Sequence, residues 1–133
     1  MDIAELIENF ELLEDWEDKY RYLIDLGAKL PPLNDKYKTE EWKVLGCQSQ
    51  VWLVPAFSDG KISFMGDSDA AIVKGLITVV LSIFNHRTPE EIKKIEVAGI
   101  FAKLGLEEHL SPSRRNGLNS MVEKIKFYAG CGK

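Results

Sequence analysis

The chain has 133 residues and 15.1 kDa, is 45% hydrophobic and 29% charged, and carries 10 Gly and 5 Pro; this excludes a disordered or low-complexity chain and fits one domain, residues 1–133, with a core of its own. Lys and Arg number 17 against 21 Asp and Glu, a formal charge of −4 that repels phosphate backbones and argues against a nucleic-acid partner. The apolar runs 77–81 and 51–57 fall far short of the roughly 20 residues a bilayer span needs, and the acidic start MDIAELIENFELLEDWED lacks the basic region of a secretory signal, so no membrane association and a cytoplasmic location are expected.

Ile3, Leu6, Ile7 and Phe10, then Trp16, Tyr20, Leu23, Ile24 and Leu26, fall at helical spacing, which predicts two short amphipathic helices with Gly27 as the stop. Residues 28–39, with Pro31, Pro32 and Asn34, read as a loop. From Glu41 the sequence turns rich in β-branched and aromatic residues, and Ser58-Asp59-Gly60 supplies hairpin turn chemistry, so about three antiparallel strands are expected. Pro55 donates no ladder hydrogen bond, which places its strand at an edge or in a bulge. Ser68 or Asp67 is the expected cap of a central helix running through Ile72, Leu76, Val80 and Phe84, apolar over so wide a face that it must be buried. Thr88-Pro89-Glu90-Glu91 is a capping box with Pro at the first helical position, and Ser111-Pro112 repeats the cap-plus-Pro start before a last helix. Grouped strands followed by helices give an α+β fold, with helices packed on one face of a small antiparallel sheet.

Few residues stand out for chemistry. Cys47 and Cys131 lie far apart in the chain, and a reducing compartment would not sustain a bridge between them. With His86 and His109 they have no zinc-site spacing, so no metal is expected. Cys47 sits in Gly46-Cys47-Gln48-Ser49-Gln50, where Gly46 permits a sharp turn and polar neighbours follow. A thiol on such a loop is reachable; the competing reading is a buried, inert cysteine. Reactivity requires the thiolate, hence nearby cations, a helix N-terminus or hydrogen-bond donors. Arg114 and Arg115 occupy the first turn of the last helix, where the macrodipole penalises cations. That local violation points to positive potential gathered against an anion such as a thiolate, persulfide or carboxylate; the plainer account is pairing with Glu107 or Glu108. Gly75 inside the central helix costs about 1 kcal/mol relative to Ala, which implies a close neighbour. Lys74 reaches solvent or an acid, and His86 and His109 fall at helix ends, where capping or exposure is the expectation. A Cys-His hydrolase with His109 as base lacks a nucleophile elbow or oxyanion signature.

Taken together, VLGCQSQVWL (44–53), FMGDSDAAIVKGL (64–76) and LGLEEHLSPSRRNGLNSM (104–121) resemble the SufE family, the sulfur-acceptor partners of cysteine desulfurases in iron–sulfur cluster assembly. The resemblance extends over nearly the whole chain. It implies that Cys47 takes sulfur from a desulfurase persulfide by a sulfur analogue of thiol–disulfide exchange, stimulates that enzyme, and passes the sulfur to an iron–sulfur scaffold. It further implies that Gly46, Gln48, Ser49, Asp69, Arg114 and Asn116 support the site, Arg114 stabilising an anion and Asp69 placing or docking the Cys loop. No cofactor beyond the covalent persulfide is implied, because the pyridoxal phosphate belongs to the partner, and autonomous turnover is not expected. The tail Gly130-Cys131-Gly132-Lys133 maps onto no family motif and reads as flexible and exposed. The alternative function is a non-catalytic interaction domain, a desulfurase regulator or scaffold-binding module with an inert Cys47. A monomer or a weak dimer fits either.

Overall fold

A computed structural model describes residues 2–47 and 49–131, with Cys131 described by its backbone alone. Helices α1 (Ile3–Glu11) and α2 (Trp16–Ala28) open the chain, each started by an aspartate: Asp2 accepts from the Glu5 N–H at 2.8 Å and Asp15 from the Asp18 N–H at 2.9 Å. These caps satisfy N–H groups that a helix start leaves unpaired. Leu6, Phe10, Leu23 and Leu26 are buried. Gly27 does not stop α2, which continues to Ala28; it lets α2 approach the central helix, since a Cβ there would lie 2.6 Å from the Gly75 nitrogen. Gly75 is the matching half of the contact, where a Cβ would collide with the Leu23 carbonyl.

Short 3-10 turns at Asp35–Tyr37 and Glu40–Trp42 lead to an antiparallel hairpin of β1 (Val51–Ser58) and β2 (Lys61–Ser68). Asp59 and Gly60 both take positive φ, 53° and 76°, the pattern of a two-residue turn whose twist matches the strands. The sheet has two strands where about three were expected. The third segment shrinks to isolated bridges: Lys43 pairs with Trp52 on one side and Arg87 with Ile62 on the other. Extension cannot continue at either place, because Gly46 turns at φ 89° and His86 at φ 59°. Pro55 is accommodated without a bulge. Val51, of the same alternation along β1, turns its carbonyl outward to the Val44 N–H at 2.8 Å, so Pro55 also points its nitrogen away from β2 and costs no ladder bond.

The central helix α3 (Ala71–Phe84) is followed by α4 (Pro89–Lys94), α5 (Val97–Leu104), α6 (Leu106–His109) and α7 (Pro112–Cys131). Neither Ser68 nor Asp67 caps α3. Both end β2, and the capping position is Ala70, whose N–H reaches the Ser68 hydroxyl at 3.3 Å. Thr88 and Glu91 form the complete capping box of α4, and the Ser111 hydroxyl accepts from the Arg114 N–H at 3.3 Å to start α7. The inner sheet face, Val51, Leu53, Ile62 and Phe64, packs into one core with α1, α2, α3 and α7. On the outer face Trp52 and Val54 pack with Leu33, Tyr37 and Trp42 from the segment before the sheet. The architecture is α+β, with the helices on one face and an ordered loop over part of the other. Tyr128 of α7 ties the layers together, its hydroxyl donating to the Leu53 carbonyl at 3.2 Å; burial, with Glu41 nearby, pushes its pKa up to about 12.

Candidate functional site around Cys47

The segment carrying Cys47 is fastened at both ends. Val44 bonds to Val51 as above, and beyond the cysteine Asp69 Oδ1 accepts from the Gln50 N–H at 3.1 Å while the Asp69 N–H donates to the Gln50 carbonyl at 3.4 Å. Between these fasteners Gly46 reverses the chain against α7, where a Cβ would lie 2.7 Å from Ser120 Oγ. A residue with a side chain would be refused there twice, by its φ and by Ser120.

Cys47 is half-buried on α7. Its Sγ lies 3.7 Å from the Gly117 carbonyl, a weak S–H donor contact. A Cβ on Gly117 would sit 3.4 Å from that sulfur, so the glycine brings the thiol close to the helix backbone. A cavity of about 220 Å³ opens beside the sulfur, with Val73, Leu76 and Met121 as its apolar wall and Ser49, Ser111, Ser113 and Arg114 as its polar side. Arg114 is exposed and makes no ion pair among the described residues. Burial pushes the Cys47 thiol above its ordinary pKa, so with the segment docked the sulfur is protonated at neutral pH.

The structure gathers Gly46, Cys47, Ser49 and Arg114 in one place and fastens Asp69 to the end of their loop. Asn116 goes elsewhere, lining a separate cavity with Glu107, Arg115 and Phe101. Gln48 lies outside the described residues. Arg115 donates to the Glu107 backbone carbonyl at 3.3 Å and lines the Asn116 cavity instead; the expected ion pair with the Glu107 or Glu108 carboxylate does not form among the described residues. His109 stacks on Trp16, ring centroids 4.7 Å apart, and lines no part of the Cys47 cavity. Gly117 escaped notice in the sequence, although a glycine inside a helix is itself a signal of a close neighbour; Ser111 was read there only as a helix cap, and neither it nor Ser113 as part of the cavity. The backbone of α7 is helical through Gly130 and Cys131, where a flexible tail was expected to begin; Gly132 and Lys133 of that tail lie outside the described residues. From Gly117 to Cys131 that helix rises about 21 Å at 1.5 Å per residue, too far for a disulfide with Cys47.

Asp67, a near neighbour in sequence, serves the fold instead. Burial opposes its charge, but N–H groups of Ser68 (2.8 Å) and Leu33 (3.3 Å), together with Lys38 (3.4 Å) and Lys74 (3.8 Å), more than offset this and hold its pKa below the ordinary carboxylate value.

Comparison with known proteins bears on this geometry. A solution structure of a hypothetical protein from Thermus thermophilus superposes with a TM-score of 0.77, covering 97% of this chain and 93% of that one at 22% identity, which establishes a shared fold. An uncharacterised SufE-like protein of Rhizobium meliloti is 48% identical over 131 residues, 96% of this chain and 94% of the relative. Another from Rhizobium etli is 48% identical over 128 residues, 93% and 86% of the two chains. The family described as "SufE: Fe-S metabolism associated domain" matches residues 4–129, and the chain therefore belongs to the SufE family.

Proposed function

We propose that Cys47 is a sulfur acceptor: it takes the terminal sulfur of a cysteine desulfurase persulfide, stimulates that enzyme, and hands the sulfur on to an iron–sulfur assembly scaffold. The family's place in Fe–S metabolism supplies the context. The single observation that carries the reading is the placement of the half-buried thiol, which borders a cavity with one apolar and one hydroxyl- and arginine-lined wall. At about 220 Å³ the space is several times the roughly 30 Å³ share of one water, so it has room for one added sulfur atom.

The transfer balances without an external oxidant or reductant. The Cys47 thiolate attacks the outer sulfur of the donor persulfide; a new S–S bond forms at Cys47, the donor S–S bond breaks, and the donor cysteine leaves as a thiolate that takes up the proton Cys47 released. Arg114 and the cavity hydroxyls then face the terminal sulfur, which carries negative charge when ionised. Asp69, by holding Gln50, fixes where the loop swings from. The pyridoxal phosphate chemistry that liberates sulfur from L-cysteine rests with the partner. A second reading, an interaction module with an inert thiol, draws on the raised Cys47 pKa.

One experiment separates them. After incubation with a desulfurase and L-cysteine, intact-mass analysis with peptide mapping is expected to place a +32 Da adduct, the mass of one sulfur, on Cys47. Cys47→Ser is expected to fold normally, gain no adduct and fail to stimulate the desulfurase. Stimulation by Cys47→Ser with no adduct on the wild-type protein would favour the interaction module.

A further inference from the structure

A second concavity lies on the far side of α3. At 100° per residue, Val73 and Leu76, which border the Cys47 cavity, face roughly opposite to Thr78, Leu81, Ser82 and Asn85, which line a groove of about 770 Å³. That volume falls in the range of ligand sites. The other side of the groove is the outer edge of β2. Part of that edge is taken: the Ile62 N–H donates to the Arg87 carbonyl at 2.8 Å, its carbonyl accepts from the His86 N–H at 2.9 Å, and the Phe64 N–H donates to Asn85 Oδ1 at 2.7 Å. The pairing then stops, because His86 sits at φ 59° and the chain leaves the strand edge.

Backbone groups of alternate residues point the same way along a strand. The Phe64 carbonyl and both backbone groups of Gly66 therefore face outward, and they make no hydrogen bond to another segment among the described residues. Gly66 exposes little surface as a whole residue but lines the groove together with Phe64, so these edge groups are left for water in the groove or an added strand to satisfy. The walls beside them are apolar, formed by Leu26, Leu30, Leu81 and the exposed Met65; Lys29, Arg87 and Asp2 also line the groove, with Arg87 Nε donating to the Ile83 carbonyl at 2.6 Å. Two cations thus stand against one acid in the lining, in a chain of net charge −4.

We propose that this groove takes an extended segment of a partner polypeptide, alternating apolar and acidic residues, which adds to β2 as a third strand. Its backbone pairs with the Phe64 carbonyl and with Gly66, its apolar side chains enter the wall of Leu30 and Leu81, and its acids meet Lys29 and Arg87. Because the groove and the Cys47 cavity lie on opposite sides of α3, a segment held here leaves Cys47 open. The partner is tethered near the thiol without competing for it, which raises its effective concentration. The inference does not depend on the sulfur chemistry proposed for Cys47.

The test is an NMR titration of the full chain with a pool of N-acetylated hexapeptides in which Glu or Asp alternates with Val, Leu or Phe. Saturable shifts are expected at the amides of Lys29, Met65 and Gly66, with those of Ser49 and Gly117 unmoved. Replacing the acids by Lys, or methylating the peptide backbone nitrogens, is expected to weaken binding at least fivefold, and Lys29→Glu to do the same with the acidic pool. No saturable shift at Gly66 would overturn the proposal, as would equal binding of the basic pool. Binding that survives backbone methylation would also overturn it and assign the groove to a ligand held by side chains alone.

Discussion

Gly117 offers the sharpest handle on the Cys47 loop. A single Cβ at this position would lie 3.4 Å from Cys47 Sγ and 3.8 Å from its Cβ, ordinary van der Waals contact, so Gly117→Ala leaves the loop docked. In the helix it gains up to about 1 kcal/mol of propensity. Gly117→Val adds two methyl groups about 1.5 Å further out, into the volume the sulfur occupies, and the loop must lift. What is lost is the burial of half a small side chain, on the order of 50 Å² and hence about 1 kcal/mol at 25 cal/mol per Å². The 3.7 Å thiol contact adds little to that. A change of this size moves a docked-to-open equilibrium by roughly five- to tenfold. The assay is the rate of iodoacetamide alkylation at pH 7, mapped by peptide to Cys47 and read beside thermal melting. Gly117→Val is expected to react five to ten times faster than wild type, and Gly117→Ala at close to the wild-type rate with an equal or higher melting temperature. Equal rates for wild type and Gly117→Val would refute the idea that this helix backbone shields the sulfur.

Gly75→Ala is expected to destabilise by about 3 kcal/mol or more in denaturant unfolding, because a Cβ meets the Leu23 carbonyl backbone rather than a yielding side chain; a loss below about 1 kcal/mol would mean that α2 and α3 separate freely. Asp67 is held below its ordinary pKa of 3.8, so its contribution is full above that value and lost as pH falls through the depressed one. Asp67→Asn is expected to flatten the acid limb of the stability profile below about pH 4, and an unchanged limb would place the acid sensitivity elsewhere. Tyr128→Phe removes the hydrogen bond to the Leu53 carbonyl and is expected to cost about 1 kcal/mol. Arg114→Ala, if the guanidinium favours an anionic sulfur, is expected to shift Cys47 alkylation to higher pH; an unshifted profile would leave Arg114 a docking or structural contact.

Features governed by a few adjacent residues were legible in the sequence. Thr88-Pro89-Glu90-Glu91 encodes its capping box locally, Ser111 its cap, and Asp59-Gly60 its turn, since each depends on bonds between residues at most three apart. Glycines were legible only in part, because one residue type serves two purposes. Gly75 in a buried helix could only mean a close approach, whereas Gly27 near a helix end looked like a stop and proved to be the other half of the same crossing. The third strand failed for a tertiary reason: Val44 and Arg87 do bond to the sheet, but positive φ at Gly46 and His86 ends each pairing after one bridge. At the site, the motif residues carried Cys47, Ser49, Asp69 and Arg114 to one loop and cavity. Asn116 separates from them because neighbours on a helix face different ways: a step of two residues along α7, about 200°, turns it from the Arg114 side toward Glu107.

The docked loop holds its thiol in a state opposed to attack, and this bears on how an acceptor would be controlled. A thiol whose pKa is raised by burial stabilises the docked arrangement below its ordinary value of 9.0 and ceases to do so as pH rises through the higher one. Docking and ionisation are thus opposed: whatever ionises Cys47 favours release of the loop, and whatever draws the loop out favours ionisation. A partner that engages the exposed Leu45, 76% accessible two residues before the cysteine, would by one motion supply both access and thiolate, with Asp69 and Val44 holding the ends of the loop in place. On the function proposed for Cys47, Arg114 would act at the later stage, when the sulfur is charged. On this account free thiol reagents meet a slow cysteine at neutral pH and the cognate donor meets a fast one. The ratio between those two rates, measured for wild type and for Gly117→Val, is expected to collapse in the variant because its loop is already lifted. A variant that stays as selective as wild type would show that selectivity comes from the donor's geometry and not from the docked loop.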